Sequence, residues 1–147
     1  MSDTDPQAMA DTEARRSEGE ANADVVTKVG ARSVAETASL FTELLVDKGM
    51  KIFNAIDQSA EARLVGLHLR ETILVVFGSP AGGTPVMDAA PLSALDLPLK
   101  VLIWSDEGQT KVSYVSPDAL ATRHHLSPEV VANLRGVEAL TDALVAR

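Results

Sequence analysis

The residues with the most suggestive chemistry in this chain stand together at Gly78-Ser79-Pro80-Ala81-Gly82-Gly83-Thr84-Pro85. Three glycines permit a tight turn and close backbone approach to a ligand. A helix opening at Thr84-Pro85, with Thr84 as N-cap, would add unpaired amides and a positive dipole end. That combination holds a phosphate or carboxylate, and it nominates Gly78, Ser79, Gly82, Gly83 and Thr84 as ligands to a small anion. The segment has no P-loop lysine and does not match the spacing of the dinucleotide fingerprint. The same glycines also suit a strand-to-helix turn that binds nothing. Ser79 follows an apolar run as a nucleophile elbow would, but Pro80 removes the amide that would help build an oxyanion hole.

Elsewhere the chemistry is sparser. Asp57, with Gln58 beside it, ends a strand and suits either acid–base work or the cap of a following helix. Arg123 beside His124 suits anion binding or a solvated helix end. His124 and His125 are neighbours, which diverge on a helix, and His68 is far off in sequence. Asp57, Asp88 and Asp96 do not stand at ligand spacing to any histidine, so neither a metal nor a cofactor is expected. An enzyme would need Asp57, Ser79 or His124 to converge in one pocket. Without convergence, a binding domain or a structural and interaction protein remains.

These residues depend on the elements that carry them. Val25, Val26 and Val29 form a β-prone run ending at Gly30. Ser33-Val34-Ala35-Glu36 has capping-box spacing, with apolar residues at helical spacing to Leu45 and Gly49 at the stop, which predicts a helix over about 33–48. Lys51 to Asp57 reads as a strand and Ser59 to Gly66 as a short helix. Ile73 to Phe77 is continuously apolar, which fits a strand covered on much of both faces. Pro91 should kink or restart the helix begun at Thr84. Leu99–Trp104 and Lys111–Val115 flank Asp106-Glu107-Gly108-Gln109, a hairpin whose turn pairs Ile103 with Val112 and Val101 with Tyr114. The other hairpin face, with Leu102, Trp104 and Val115, is half polar and should be covered by inserted elements or a second subunit. Ser127-Pro128 opens a last helix running through Leu144. The order is β-α-β-(α)-β-(α)-β-β-α, an α+β domain with a mostly antiparallel sheet packed against helices.

Composition narrows the class. The chain is 46% hydrophobic and 23% charged, with no cysteine, so disulfides and thiolate chemistry are out. Residues 1–22 carry six acids against Arg15 and Arg16 and no Val, Ile, Leu or aromatic residue. Residues 1–23 are therefore expected to be a disordered acidic tail, with the domain spanning 24–147. A net charge of −8 opposes nucleic-acid binding. With no signal sequence or membrane-spanning run visible, a cytoplasmic location away from the membrane is expected.

The run Gly49-Met50-Lys51-Ile52-Phe53-Asn54-Ala55-Ile56-Asp57 resembles a segment of the domain-of-unknown-function 302 family. So do Thr72 to Gly78 with Ser79-Pro80 and Gly83-Thr84-Pro85, then Ala89-Ala90-Pro91, Leu95 to Leu102, and Tyr114 with Arg123-His124. The resemblance covers about residues 25–145. It implies a compact α+β domain of the TATA-binding-protein type with inserted helices, and a homodimer, but no reaction. Two positions depart from the family: Gln58 stands where members often have His, and Ser79 where they often have Asn. The expectation is thus a dimeric domain holding a small anionic ligand near residues 57–58 and 78–85.

Overall fold

A computed structural model describes residues 23–147 of the 147-residue chain. The acidic tail expected over 1–23 lies almost wholly outside the described residues. Five strands form one antiparallel sheet: β1 (Val25–Gly30), β2 (Lys51–Asp57), β3 (Thr72–Gly78), β4 (Leu99–Asp106) and β5 (Gln109–Val115), in spatial order β1-β5-β4-β3-β2. Helix α1 (Val34–Asp47) joins β1 to β2, and α2 (Gln58–Leu64) joins β2 to β3. Helix α3 (Pro80–Ala89) and a 3₁₀ turn (Pro91–Leu95) lead to β4. After β5 come α4 (Pro117–His124), α5 (Pro128–Val131), a 3₁₀ turn (Ala132–Leu134) and α6 (Gly136–Val145). This is the α+β class expected. No helix among the described residues is long and apolar enough to cross a membrane.

Period-two alternation gives the sheet its core face. Val75, Phe77, Val101, Ile103, Val112 and Tyr114 point to one side and meet Phe41, Leu44 and Leu45 of α1 and Val137, Leu140 and Leu144 of α6. Phe41 and Phe77 pack edge to face with centroids 5.3 Å apart. The Ile103–Val112 pairing stands as expected, and the turn residues Glu107 and Gly108 both have positive φ (50° and 83°), as a type I′ hairpin requires. Pro91 does restart the chain, as a 3₁₀ turn.

The second sheet face is dressed by polar side chains rather than left bare. Ser113 is buried and accepts from Trp104 Nε1 at 2.9 Å, with Thr27 Oγ1 2.8 Å away. Lys111 lies over the Trp104 ring and reaches Asp106 Oδ2 at 2.6 Å. Leu74, Val76 and Leu102 remain half-buried there, and Val115 is 45% exposed.

Three sequence expectations need correction. The glycine-rich segment is no loop before Thr84. Ser79 caps α3 and Pro80 takes its first position, so Gly82 and Gly83 are helical and Pro85 lies inside the helix. Pro85 forgoes one helical hydrogen bond, toward Ala81, a cost that Ser79 capping and packing of the buried Val86 offset. The last helix is broken, because Leu134 must serve a small second core with Val86 and Leu120 while Val137, Leu140 and Leu144 serve the main one. A turn ending before Gly136 redirects the chain between the two cores. Helix α4 is missing from the expected order, although Arg123-His124 does stand at a helix end, one of the two readings of that pair.

Candidate functional site

A groove of about 320 Å³ opens at the end of β3. Its walls are Met50 just ahead of β2 and Phe53 within it, Met87 from α3, Leu97-Pro98-Leu99 ahead of and entering β4, and Leu134. Gly78 lies at the strand end, where a Cβ would stand 3.7 Å from Pro98 and 3.9 Å from the Phe53 ring. Gly83 is helical, and a Cβ there would meet only Met87 Cε, at 3.8 Å. The polar members are Ser79, Thr84 and Asn133.

Local rules explain how the walls arise. The β2–β3 register shifts between Ile52 and Asn54, so Phe53 sits at a bulge. A bulge breaks the alternation of side chains and re-aims one of them. Phe53 is accordingly 47% exposed and lines the groove instead of joining the core. Met50 follows Gly49, whose φ of +70° ends α1, with Met50 N–H bonding to Leu45 O at 2.9 Å. That fold-back sets Met50 at the groove's edge.

The anion ligands expected at 78–84 meet different geometry. Gly82 N–H donates to Ser79 Oγ (3.2 Å) and Ser79 O (3.0 Å), and Gly83 N–H donates to Ser79 O (2.7 Å). Pro80 has no N–H. The Gly82 and Gly83 amides are therefore occupied with the helix's own cap and form no open cradle. Gly78, Ser79, Gly83 and Thr84 do line the groove, whereas Gly82 does not.

Asp57 and Gln58 lie elsewhere. Asp57 pairs with Ile73 and Lys51 with Gly78, so Asp57 and Ser79 stand at opposite ends of the ladder, about 20 Å apart along β3. Asp57 caps α2: its carboxylate accepts from Ala60 N–H at 2.9 Å and from the Ser59 hydroxyl at 2.5 Å. The Ser59 hydroxyl and the Ala60 amide hold its carboxyl below the usual carboxylate range. Ser59 Oγ in turn accepts from Thr72 N–H, tying the cap to β3.

His124 and Arg123 serve a third place. Nε2 of His124 lies 2.6 Å from Asp96 Oδ2, and Arg123 reaches both carboxylate oxygens at 3.2 Å. Burial works against the Asp96 charge, but the His124 hydrogen bond and the Arg123 charge outweigh it and lower the carboxyl's pKa. This cluster clamps the chain just before Leu97 to the end of α4; its members are not groove residues. Asp57, Ser79 and His124 thus share no pocket, and sequence reasoning placed three separate regions in one site. It missed Met50, Phe53, Met87, Leu97, Leu99 and Asn133, for which no local signal exists.

Comparison with known proteins bears on the whole domain. The model of the family described as domain of unknown function DUF302 matches residues 25–144. A crystal structure of an uncharacterized conserved DUF302 protein from Bacillus stearothermophilus superposes with a TM-score of 0.71 at 18% identity, covering 84% of this chain and 97% of that one. Proteins named fluoride-specific ion channel FluC 1, from Brucella suis and Brucella abortus, are 37% identical over 103 residues, 69% of this chain. This chain spans 41% and 38% of those two proteins, about two fifths of their length.

Proposed function

The chain belongs to the DUF302 family, and on that footing we propose that it is a homodimeric domain that binds a small molecule in the groove at the end of β3. The observation that carries the reading is the groove itself: apolar walls from four separate chain segments, a bulge that turns Phe53 into it, and two glycines beside it. Concave apolar sites with a few polar groups are the usual form of small-molecule sites. No catalytic step is assigned, since Asp57 is engaged in a cap, His124 in a clamp, and Ser79 has no base among its hydrogen-bond partners. The half-buried Leu74, Val76 and Leu102 with exposed Val115 favour a second copy over that sheet face.

The test uses N-phenyl-1-naphthylamine, an uncharged probe that brightens in apolar surroundings. Saturable one-to-one brightening by wild-type protein, lost in a folded Gly83→Leu variant, supports the groove. No brightening, or brightening unchanged by Gly83→Leu, removes it. Sedimentation at high micromolar concentration reads the dimer, and a lone monomer excludes it.

A second reading draws on the Brucella relatives, whose names assign them a fluoride-specific channel: the domain would bind fluoride beside such a channel. A rise in melting temperature with sodium fluoride but not sodium chloride supports this, and superimposable curves end it.

A further inference from the structure

We infer that the ligand of this groove is uncharged, compact and mostly apolar, and presents one hydrogen-bond acceptor, such as a ketone or ether oxygen, to the hydroxyl of Ser79. The inference rests on the reading of the groove as a ligand site and deepens it. Among the described residues that line the groove there is no Asp, Glu, Lys, Arg or His. A carboxylate or phosphate seated against Met50, Phe53, Met87 and Leu99 would lose hydration with no opposite charge to replace it, a heavy cost for a buried ion. The glycine amides that would have cradled an anion already donate to Ser79. A chain of net charge −8 also repels anions at long range.

Two cations stand against wall residues: Lys100 Nζ donates to Pro98 O at 3.4 Å, and Lys51 Nζ lies over the Phe53 ring, 5.0 Å from its centroid. Both lysines are exposed and neither lines the groove. Their charges act through water, where screening is strong.

The preference for an acceptor comes from Ser79. Its Oγ accepts the Gly82 N–H at 3.2 Å as the helix cap, so the hydroxyl proton stays available to a ligand. A volume of about 320 Å³ lies at the small end of ligand clefts, which suits a two-ring molecule or a short chain.

Three naphthalenes of matched shape test this on the full chain, followed through the backbone amide signals of Gly78 and Gly83. 2-Acetylnaphthalene is neutral with an acceptor, 2-ethylnaphthalene is neutral without one, and 2-naphthoate is the anion. The expected order is the ketone tightest, the ethyl compound about fivefold weaker for want of one hydrogen bond, and naphthoate at least tenfold weaker than the ketone. In Ser79→Gly, which retains an acceptable helix cap, the ketone's advantage over the ethyl compound should vanish. Naphthoate binding as tightly as the ketone, or losing affinity in Lys51→Met after doing so, overturns the inference while the groove reading stands. A ketone no tighter than the ethyl compound overturns the acceptor assignment. If none of the three moves the two glycine signals, the groove reading falls and this inference with it.

Discussion

Replacing Gly83 by alanine should stabilise the protein. Read as a turn glycine ahead of an N-cap, Gly83 would resist any side chain. In the structure it is the fourth residue of α3, its φ is not positive, and a Cβ would meet nothing closer than Met87 Cε at 3.8 Å. Glycine inside a helix costs roughly 0.5–1 kcal/mol relative to alanine, through backbone entropy. The first turn realises the lower part of that range, so about 0.5 kcal/mol is expected. With an unfolding entropy near 2.1 cal/mol/K per residue over the described 125 residues, this raises the melting temperature by roughly 2 °C. Urea unfolding should show a higher midpoint at an unchanged slope. Gly66→Ala is the control: Gly66 has φ +76° with open space around it, so its loss of about 1 kcal/mol is purely conformational. If Gly83→Ala destabilises as Gly66→Ala does, the helical assignment of the glycine segment is wrong and the groove built upon it with it.

Two further predictions use the clamp and the end of α4. The folded pKa of Asp96 lies below its ordinary value of 3.8, so its charge contributes stability above about pH 4 that is lost as pH falls through the lowered folded value. Asp96→Asn should therefore destabilise at pH 7 in urea titrations, with the gap to wild type closing on acidification below about pH 4. A gap independent of pH would show that the carboxylate's charge is not what matters. His125 ends α4 in the left-handed region at φ 54°, where Leu126 N–H bonds to Ala121 O at 2.9 Å. His125→Gly relieves that conformation and should stabilise by about 0.5–1 kcal/mol in the same assay, whereas a net loss would mean the imidazole makes a contact worth more.

Much of the fold could be read from the chain because its signals are local. The Ser33 cap and Gly49 stop bound α1, and the Glu107-Gly108 turn fixes the hairpin register on its own. Helix α4 escaped because Asp118, Thr122, Arg123 and His124 blur its apolar stripe. Its start was nonetheless written as Ser116-Pro117, the same pair that opens α3 at Ser79-Pro80 and α5 at Ser127-Pro128. Thr84-Pro85 looks alike yet loses, because Ser79-Pro80 comes first and a helix already under way absorbs the second proline. The groove is harder. Met50, Phe53, Met87, Leu97 and Leu134 meet only through tertiary packing, and the bulge at Phe53 follows from pairing with β3, which no window around residue 53 contains. Residues chosen for their reactivity were drawn into caps and clamps, while the groove was made from thioether, aromatic and aliphatic side chains that sequence reading assigns to the core.

The pairing of β1 with β5 has a consequence for synthesis. Thr27 meets Ser113 across 86 positions of chain. At about 5–20 residues per second, roughly 4–17 s pass between translation of the first strand and that of its partner. The β2–β3 ladder closes over a far shorter span, so it can form while β1 still waits. During that interval Val25, Val26 and Val29 have no ladder to join, and Thr27 and Lys28 are the polar residues that interrupt them. Once β5 emerges, Lys28 can reach Thr141 and Asp142 only after α6 is made as well. Strand β1 is therefore among the last pieces to be fastened, and a ribosome-bound chain stalled before residue 109 should hold β2 and β3 paired while β1 stays open to protease.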